Sequence, residues 1–192
     1  MPRDARATKL VDQLALAYSG ELAAAYAYRG HWRAVRDPEE RASIRKIEEE
    51  EWHHRLRVGA LLRGLGGRPR FIREVRAWLV GRTLGLLCHV SGWFLPMYFA
   101  GRLESRNVVE YETAARYAVD CGCPNLVHCL LTMAEIEWDH EAYFRSKVEG
   151  HAALRRFPLW PPLPSRETIR SDFSLGPQDR PRMPSGPAGV AA

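Results

Sequence analysis

Two short motifs limit what this 192-residue chain can fold into: Glu51-Trp-His-His54 and Glu137-Trp-Asp-His140. Residues three apart share a face of an α-helix, so each motif can offer one carboxylate and one imidazole to a single metal ion. Each motif also sits in an apolar stripe with alternating steps of three and four. One stripe runs Ile44, Ile47, Glu51, His54, Val58, Leu61, Leu65, and the other runs Leu126, Leu130, Met133, Glu137, His140, Phe144, Val148. Such stepping marks the buried seam of a bundle helix, so both pairs interrupt a core face. The neighbouring pair Glu50 and His53 leads on to Arg57 and reads as the wet face.

Two further stripes each carry one inward carboxylate. Leu14, Tyr18, Glu21, Ala25, Tyr28, Trp32 contains Glu21, the one acidic residue between Asp12 and Asp37, and Met97, Gly101, Glu104, Val108, Tyr111, Ala115 contains Glu104. Depth along the helices agrees. Glu21 stands as far before Asp37 as the middle of the Glu51–His54 pair stands after it. At about 1.5 Å per residue, both arms carry their polar groups roughly 21–26 Å from the turn. Glu104 precedes Gly122 by as much as His140 follows it, with Glu137 one helical turn nearer, so the second hairpin repeats the arrangement. Four carboxylates and two imidazoles in a dry core need compensation, because isolated buried charges are very costly. Two divalent cations supply it, and carboxylate-rich sites of this kind suit iron or manganese.

The rest of the chain fits an all-α fold. Residues 8–36 read as a first long helix, and Asp37-Pro38-Glu39-Glu40 supplies a cap, a proline at the first helical position and a capping box for a second helix ending at Leu65. A shorter amphipathic helix follows from Phe71 to about Val90, broken at Ser91-Gly92, then long helices at roughly 94–119 and from Pro124 to about Leu154. That order predicts a four-helix bundle with a short extra crossover helix as one domain over 1–156. Eight of the thirteen prolines lie beyond Phe157, so 157–192 reads as an extended, partly disordered Pro-rich tail. The net charge of +5 comes from interspersed basic and acidic residues, with no stripe for nucleic acid. Four cysteines without a Cys-x-x-Cys pair argue against a zinc ribbon and for free thiols in a reducing cytosol. No secretory signal is read at the start of the chain, where Asp4 and Asp12 interrupt a stretch that lacks an apolar core. The segment from Thr83 to Gly101 carries no formal charge and approaches a membrane span in length, but Gly85, Gly92 and Pro96 break it.

The ligand pattern resembles that of ferritin-like di-iron proteins, and within them the demethoxyubiquinone hydroxylase family. The resemblance covers roughly residues 10–150. It rests on Ser-Gly-Glu21-Leu-Ala-Ala-Ala-Tyr-Ala-Tyr-Arg-Gly30, on Glu51-x-x-His54 with Pro69 beyond it, and on the crossover Trp78-Leu-Val-Gly81-Arg-Thr-Leu84-Gly85. Leu-Glu104-Ser with Tyr111, and then Glu137-x-x-His140, complete it. Two features depart from the family: Glu110 stands where a His follows the Glu of the third long helix by six residues, and the Pro-rich tail replaces a helical C-terminal segment.

The resemblance implies a ferritin-like bundle and a di-iron monooxygenase that hydroxylates a demethoxyubiquinol-like aromatic quinol with O2. Glu21, Glu51, His54, Glu104, Glu137 and His140 would hold two irons, with one carboxylate bridging, and Tyr111 would donate a proton or hydrogen bond beside them. An external electron donor, a membrane surface that holds the quinol, and a cytoplasmic location peripheral to the inner face of the cell membrane follow from the same likeness. The segment 83–101 would then be an interfacial or tunnel element, against the plainer alternative of a cap on the core. Homo-oligomerisation is left open. Other functions compatible with the ligands are a rubrerythrin-like oxidase or peroxidase, a tRNA-modifying di-iron hydroxylase, and a bundle that binds metal without an organic substrate. No four-Cys electron-transfer module follows the bundle, which weighs against the rubrerythrin type.

Overall fold

The computed structural model describes residues 5–174, which contain six α-helices and no strand. They are α1 (Ala5–Ala34), α2 (Pro38–Gly64), α3 (Phe71–Leu87), α4 (Phe94–Asp120), α5 (Val127–Val148) and the short α6 (Thr168–Ser174). Helices α1 and α2 form one antiparallel hairpin, α4 and α5 form the other, and α1 packs against α4 to join them. Two apolar clusters fill the bundle. One centres on Leu10, Leu14, Val58, Leu62, Val108 and Leu130, and the other on Ile44, Ile47, Met97, Phe144 and Val148. This is the ferritin-like all-α bundle expected from the four stripes.

Local chemistry sets the ends of the elements. The Asp37 carboxylate accepts from the backbone N–H of Glu39 at 3.0 Å and Glu40 at 2.9 Å, capping α2 directly before Pro38. The Glu40 carboxylate leaves the capping box to accept from Trp93 Nε1 at 2.8 Å and to pair with Lys147 at 3.3 Å, tying the far end of the bundle together. Helix α5 stops at Val148, short of the end expected near Leu154, because Glu149 turns extended and Gly150 takes a φ of 77°. Between α1 and α2 a buried Glu48 accepts from Arg29 Nε and Trp32 Nε1, each at 2.7 Å, and from Trp52 Nε1 at 3.2 Å.

The crossover helix α3 lies outside the four-helix core, against α1. Glycines permit the approach: a Cβ on Gly30 would stand 2.3 Å from the backbone of Gly85, and one on Gly81 would stand 2.4 Å from the Ala23 carbonyl oxygen. Polar bonds at the other end of α3 fix its direction. Glu74 accepts from Ser19 Oγ at 2.6 Å and from Arg55 at 2.5 Å, and Arg55 also donates to the Tyr18 carbonyl. The outer face of α3 and its turn leave Phe71, Ile72, Leu79, Leu86 and Val90 exposed. No described helix is long and apolar enough to cross a membrane.

Packing continues beyond Phe157, where the sequence predicts a Pro-rich tail. Residues beyond Phe157 strap the outer face of the α4–α5 hairpin, because Trp160 finds both an apolar seat and a buried acceptor there. Its indole packs where Gly101 leaves room, Trp160 Nε1 donates to Glu141 at 2.6 Å, and Arg145 bridges Glu141 to the Trp160 and Pro161 carbonyls. Further on, Trp138 Nε1 donates to the Pro164 carbonyl, Arg166 and Arg170 pair with Asp139 and Glu135, and Ile169 is buried. The final stretch of the expected tail, 175–192, lies outside the described residues.

Candidate metal centre

The four inward stripes carry Glu21 on α1, Glu51 and His54 on α2, Glu104 on α4, and Glu137 and His140 on α5 to one level of the bundle. All six are buried, with Glu51, Glu104 and Glu137 wholly inaccessible. They form two overlapping sets. Glu21, Glu51, His54 and Glu137 can each offer a ligand atom within 4.8 Å of the others, and so can Glu51, Glu104, Glu137 and His140. Glu51 and Glu137 belong to both sets. One shared carboxylate comes from each Glu-x-x-His helix.

Hydrogen bonding shows that the cluster is incomplete as a purely protein structure. Both oxygens of Glu51, Oε2 of Glu21 and Nε2 of His54 are buried without a hydrogen-bond partner. His140 Nδ1 comes within 3.3 Å of Glu51 Oε1 without making a hydrogen bond, and it lies 3.7 Å from Glu137 Oε2, beyond hydrogen-bond distance. Leaving so many buried polar atoms unsatisfied costs about 1–3 kcal/mol each, and cations placed among them remove that cost. The donor set of four carboxylates and two imidazoles therefore fits two divalent metal ions.

Charge tells the same story. Burial, and then the charges of Glu137, Glu21 and Glu104, push the Glu51 carboxyl well above its usual range. Burial, and then Glu137, do the same to Glu104, and burial likewise raises Glu21. Glu137 is the exception: against the cost of burial, the imidazoles of His140 and His54 beside it hold its carboxyl well below the usual value. His54 Nδ1 lies 2.8 Å from Glu137 Oε1, and both imidazoles are raised despite burial by the Glu137 carboxylate beside them. Burial thus favours the neutral forms of Glu21, Glu51 and Glu104 in the absence of metal.

Several supporting residues surround it. Tyr28 on α1 donates to Glu104 on α4, and Tyr111 on α4 donates to Glu21 on α1. Each tyrosine lies two helical turns after the carboxylate of its own helix and serves that of the other. Tyr111 thus touches the candidate ligands, and Tyr28, read in the sequence as a core aromatic, has an equivalent place. Asn107 Nδ2 donates to Glu104 Oε2 at 2.8 Å and reaches Glu137 Oε2 at 3.4 Å. Glu50 corrects its assignment to the wet face: its Oε2 lies 2.9 Å from His140 Nε2 across the α2–α5 interface, so it holds the ring from behind. Nothing in the periodicity of α2 alone shows this, since the partner arrives from another helix. Glu110 is partly buried beside Glu21 and Tyr111, and burial, followed by the Glu21 charge, raises its carboxyl. Trp52 and Trp138 point away from the cluster, to Glu48 and Pro164.

Beside the cluster, under α3, two apolar cavities run between α1 and α4. The nearer, about 200 Å³, reaches Glu21, Tyr111 and Glu110. The second, about 320 Å³, is lined by Tyr28, His31, Leu87, Leu95 and Phe99, and both share Ala24, Ala27, Leu84 and Leu103 as walls.

Comparison with curated proteins and with solved structures gives no match. A scan of family models matches residues 9–116 to the ubiquinone biosynthesis protein COQ7. The match takes in α1, α2, α3 and most of α4, with Glu21, Glu51, His54, Glu104 and Tyr111, and covers more than half the chain. The match stops before Glu137 and His140 on α5, agrees with the all-α bundle, and shows that this chain belongs to the COQ7 ubiquinone biosynthesis family.

Proposed function

We propose that the protein is a di-iron monooxygenase that hydroxylates a demethoxyubiquinol-like aromatic ring. The observation that carries the reading is the pair of overlapping four-residue sets sharing Glu51 and Glu137, with both Glu51 oxygens, Glu21 Oε2, His54 Nε2 and His140 Nδ1 buried and unsatisfied. Glu21 and His54 would complete one iron, and Glu104 and His140 the other. Two irons held there supply reduction of O2 and oxidation of a ring C–H bond. The net reaction consumes O2, two electrons from an external donor and two protons, and yields the hydroxylated ring and water.

The protein's own part is placement and proton control. The Tyr111 hydroxyl holds a proton against Glu21, and Tyr28 holds one against Glu104. Burial, and then the neighbouring carboxylate, keeps both phenols protonated far above the ordinary tyrosine range. The cavities under α3 present an apolar wall to an aromatic ring and exclude water from the carboxylates. Helix α3 serves two purposes in this reading. Leu84 and Leu87 wall the cavities, while Phe71, Ile72, Leu79, Leu86 and Val90 give an apolar outer face suited to the surface of a membrane that carries a long-tailed quinol. Manganese suits the same ligands, and the oxidative chemistry is what selects iron.

The test is iron loading followed by product analysis. Anaerobic iron addition should give two metals per chain, and supplying O2, reductant and a short-tailed demethoxyquinol should yield the hydroxylated ring. Fewer than one metal per chain, or oxygen consumption with no hydroxylated product, would reject the reading.

A further inference from the structure

His31 is the buried titratable group that the metal cluster leaves unused. It lies on α1 one turn after Tyr28, is 3% exposed, and stacks against both the Tyr28 and Phe144 rings with centroid distances of 6.4 Å and 5.9 Å. Two aromatic neighbours fix its plane, and its Nε2 is buried with no hydrogen-bond partner. It also lines the larger apolar cavity under α3 and the cleft beyond, where Cys88 and Pro96 are shared walls. Of the other polar groups on the cavity wall besides Ser91, Tyr28 donates to Glu104 and Cys88 Sγ donates to the Leu84 carbonyl.

We infer that His31 is a substrate-contacting residue, whose Nε2 hydrogen-bonds an oxygen substituent of an aromatic ring lying in the cavity between α1, α3 and α4. This deepens the proposed function and rests on it for the identity of the ring. The order of wall residues along α1 is Glu21, Ala24, Ala27, Tyr28, His31. A ring over the two alanines therefore has the carboxylate cluster at one edge and the imidazole at the other. Alanines leave the space, and the isobutyl groups of Leu84 and Leu103 close over it. A neutral imidazole suits such a place, and burial pushes His31 down to about 4, so it carries no charge near neutrality. Neutral Nε2 serves both oxidation states of the ring: protonated, it donates to a quinone carbonyl, and unprotonated, it accepts from a quinol hydroxyl. A purely hydrocarbon occupant would leave the nitrogen unsatisfied, so the site discriminates oxygenated rings from plain ones.

The experiment compares two ligands by calorimetry on metal-loaded protein: a 1,4-benzoquinone with a short alkyl chain, and the alkylbenzene with the same chain. The wild-type protein should prefer the quinone by about tenfold or more, as one buried hydrogen bond provides. His31→Phe, which keeps the stacked ring, should lose that preference while binding the alkylbenzene unchanged. His31→Gln should retain part of it. In the wild-type protein the ¹⁵N resonance of His31 Nε2 should shift when the quinone binds and stay in place with the alkylbenzene, a signal that does not depend on either variant folding. Equal preference in wild type and His31→Phe, no binding or no preference in wild type, or an unmoved Nε2 resonance would overturn the assignment. Failure of iron loading or of ring hydroxylation, with the quinone preference intact, would reject the di-iron reading and leave His31 as a ring-oxygen contact.

Discussion

Glu50 Oε2 on α2 lies 2.9 Å from His140 Nε2 on α5, on the side of the ring away from Glu51 and Glu137. A carboxylate behind an imidazole fixes its tautomer, leaving Nδ1 as the lone-pair donor toward the carboxylate cluster, and raises its basicity. The contact with His140 is also the leading reason that Glu50 itself is held below its ordinary value. Glu50→Ala should weaken the metal set containing Glu104 and His140 by about tenfold to a hundredfold. The set containing Glu21 and His54 should hold its affinity. Competition with a graded series of chelators, counting metals retained per chain, separates the two. Loss of both metals in parallel would show that Glu50 supports the helix rather than the ring.

The reciprocal bonds Tyr28–Glu104 and Tyr111–Glu21 make a different prediction. Each phenol donates to a carboxylate of the two four-residue sets and brings no carboxylate or imidazole of its own, so Tyr111→Phe should leave about two metals per chain. What it removes is a proton held against Glu21, and turnover should fall by about a hundredfold, the usual scale for losing a positioned proton donor. The change should appear in kcat with KM nearly constant. Steady-state hydroxylation with the metal content measured on the same sample checks it.

Proton storage in the metal-free cluster gives a pH dependence with a definite sign. Glu51 and Glu104 have raised folded values, so the stability from their neutral forms is complete below the unfolded value of 4.5 and is lost as pH rises through the folded values. His54 and His140 are also raised, and their contribution is complete below 6.5 and lost on rising through their folded values. Glu137 runs the other way, its contribution being present above 4.5 and lost as pH falls through its lowered value. The metal-free protein should therefore lose thermal stability from this cluster as pH rises above the unfolded values of 4.5 and 6.5, while the loaded protein, its carboxylates and imidazoles held by cations, should not. The rise in Tm on adding metal should be larger at the higher pH. Glu104→Gln, which cannot ionise, should flatten part of the slope in the metal-free state.

Much of this was written in the sequence because each helix records its own inward face. Glu21, Glu51, His54, Glu104, Glu137 and His140 fall on apolar stripes, and equal depth from Asp37 and from Gly122 brings them level. Contacts that need two helices at once were not legible. Glu50 has the spacing of a surface residue until α5 places His140 over it, and Tyr28 looks like packing until its hydroxyl meets Glu104. The strap was hidden for another reason. Proline-rich composition reports low helical propensity, but Trp160 is held by Gly101 and Glu141, both distant from it in sequence.

Trp160 gives the last prediction. Its indole fills the space over Gly101 and next to Tyr98, with ring centroids 5.4 Å apart, and it helps satisfy the buried Glu141. Trp160→Ala should cost about 3–5 kcal/mol, the range for emptying a large aromatic seat. Trp160→Phe should recover most of the packing and leave about 1–3 kcal/mol missing from the Glu141 bond. Because Phe144 lies between this seat and Tyr28, the loss should also loosen the α1 wall of the cavities. Urea unfolding of the two variants and of a chain ending at Arg156 checks the ledger. If the strap is part of the folded unit, the truncated chain should be destabilised at least as much as Trp160→Ala. A truncated chain with wild-type stability would place the domain boundary at 157.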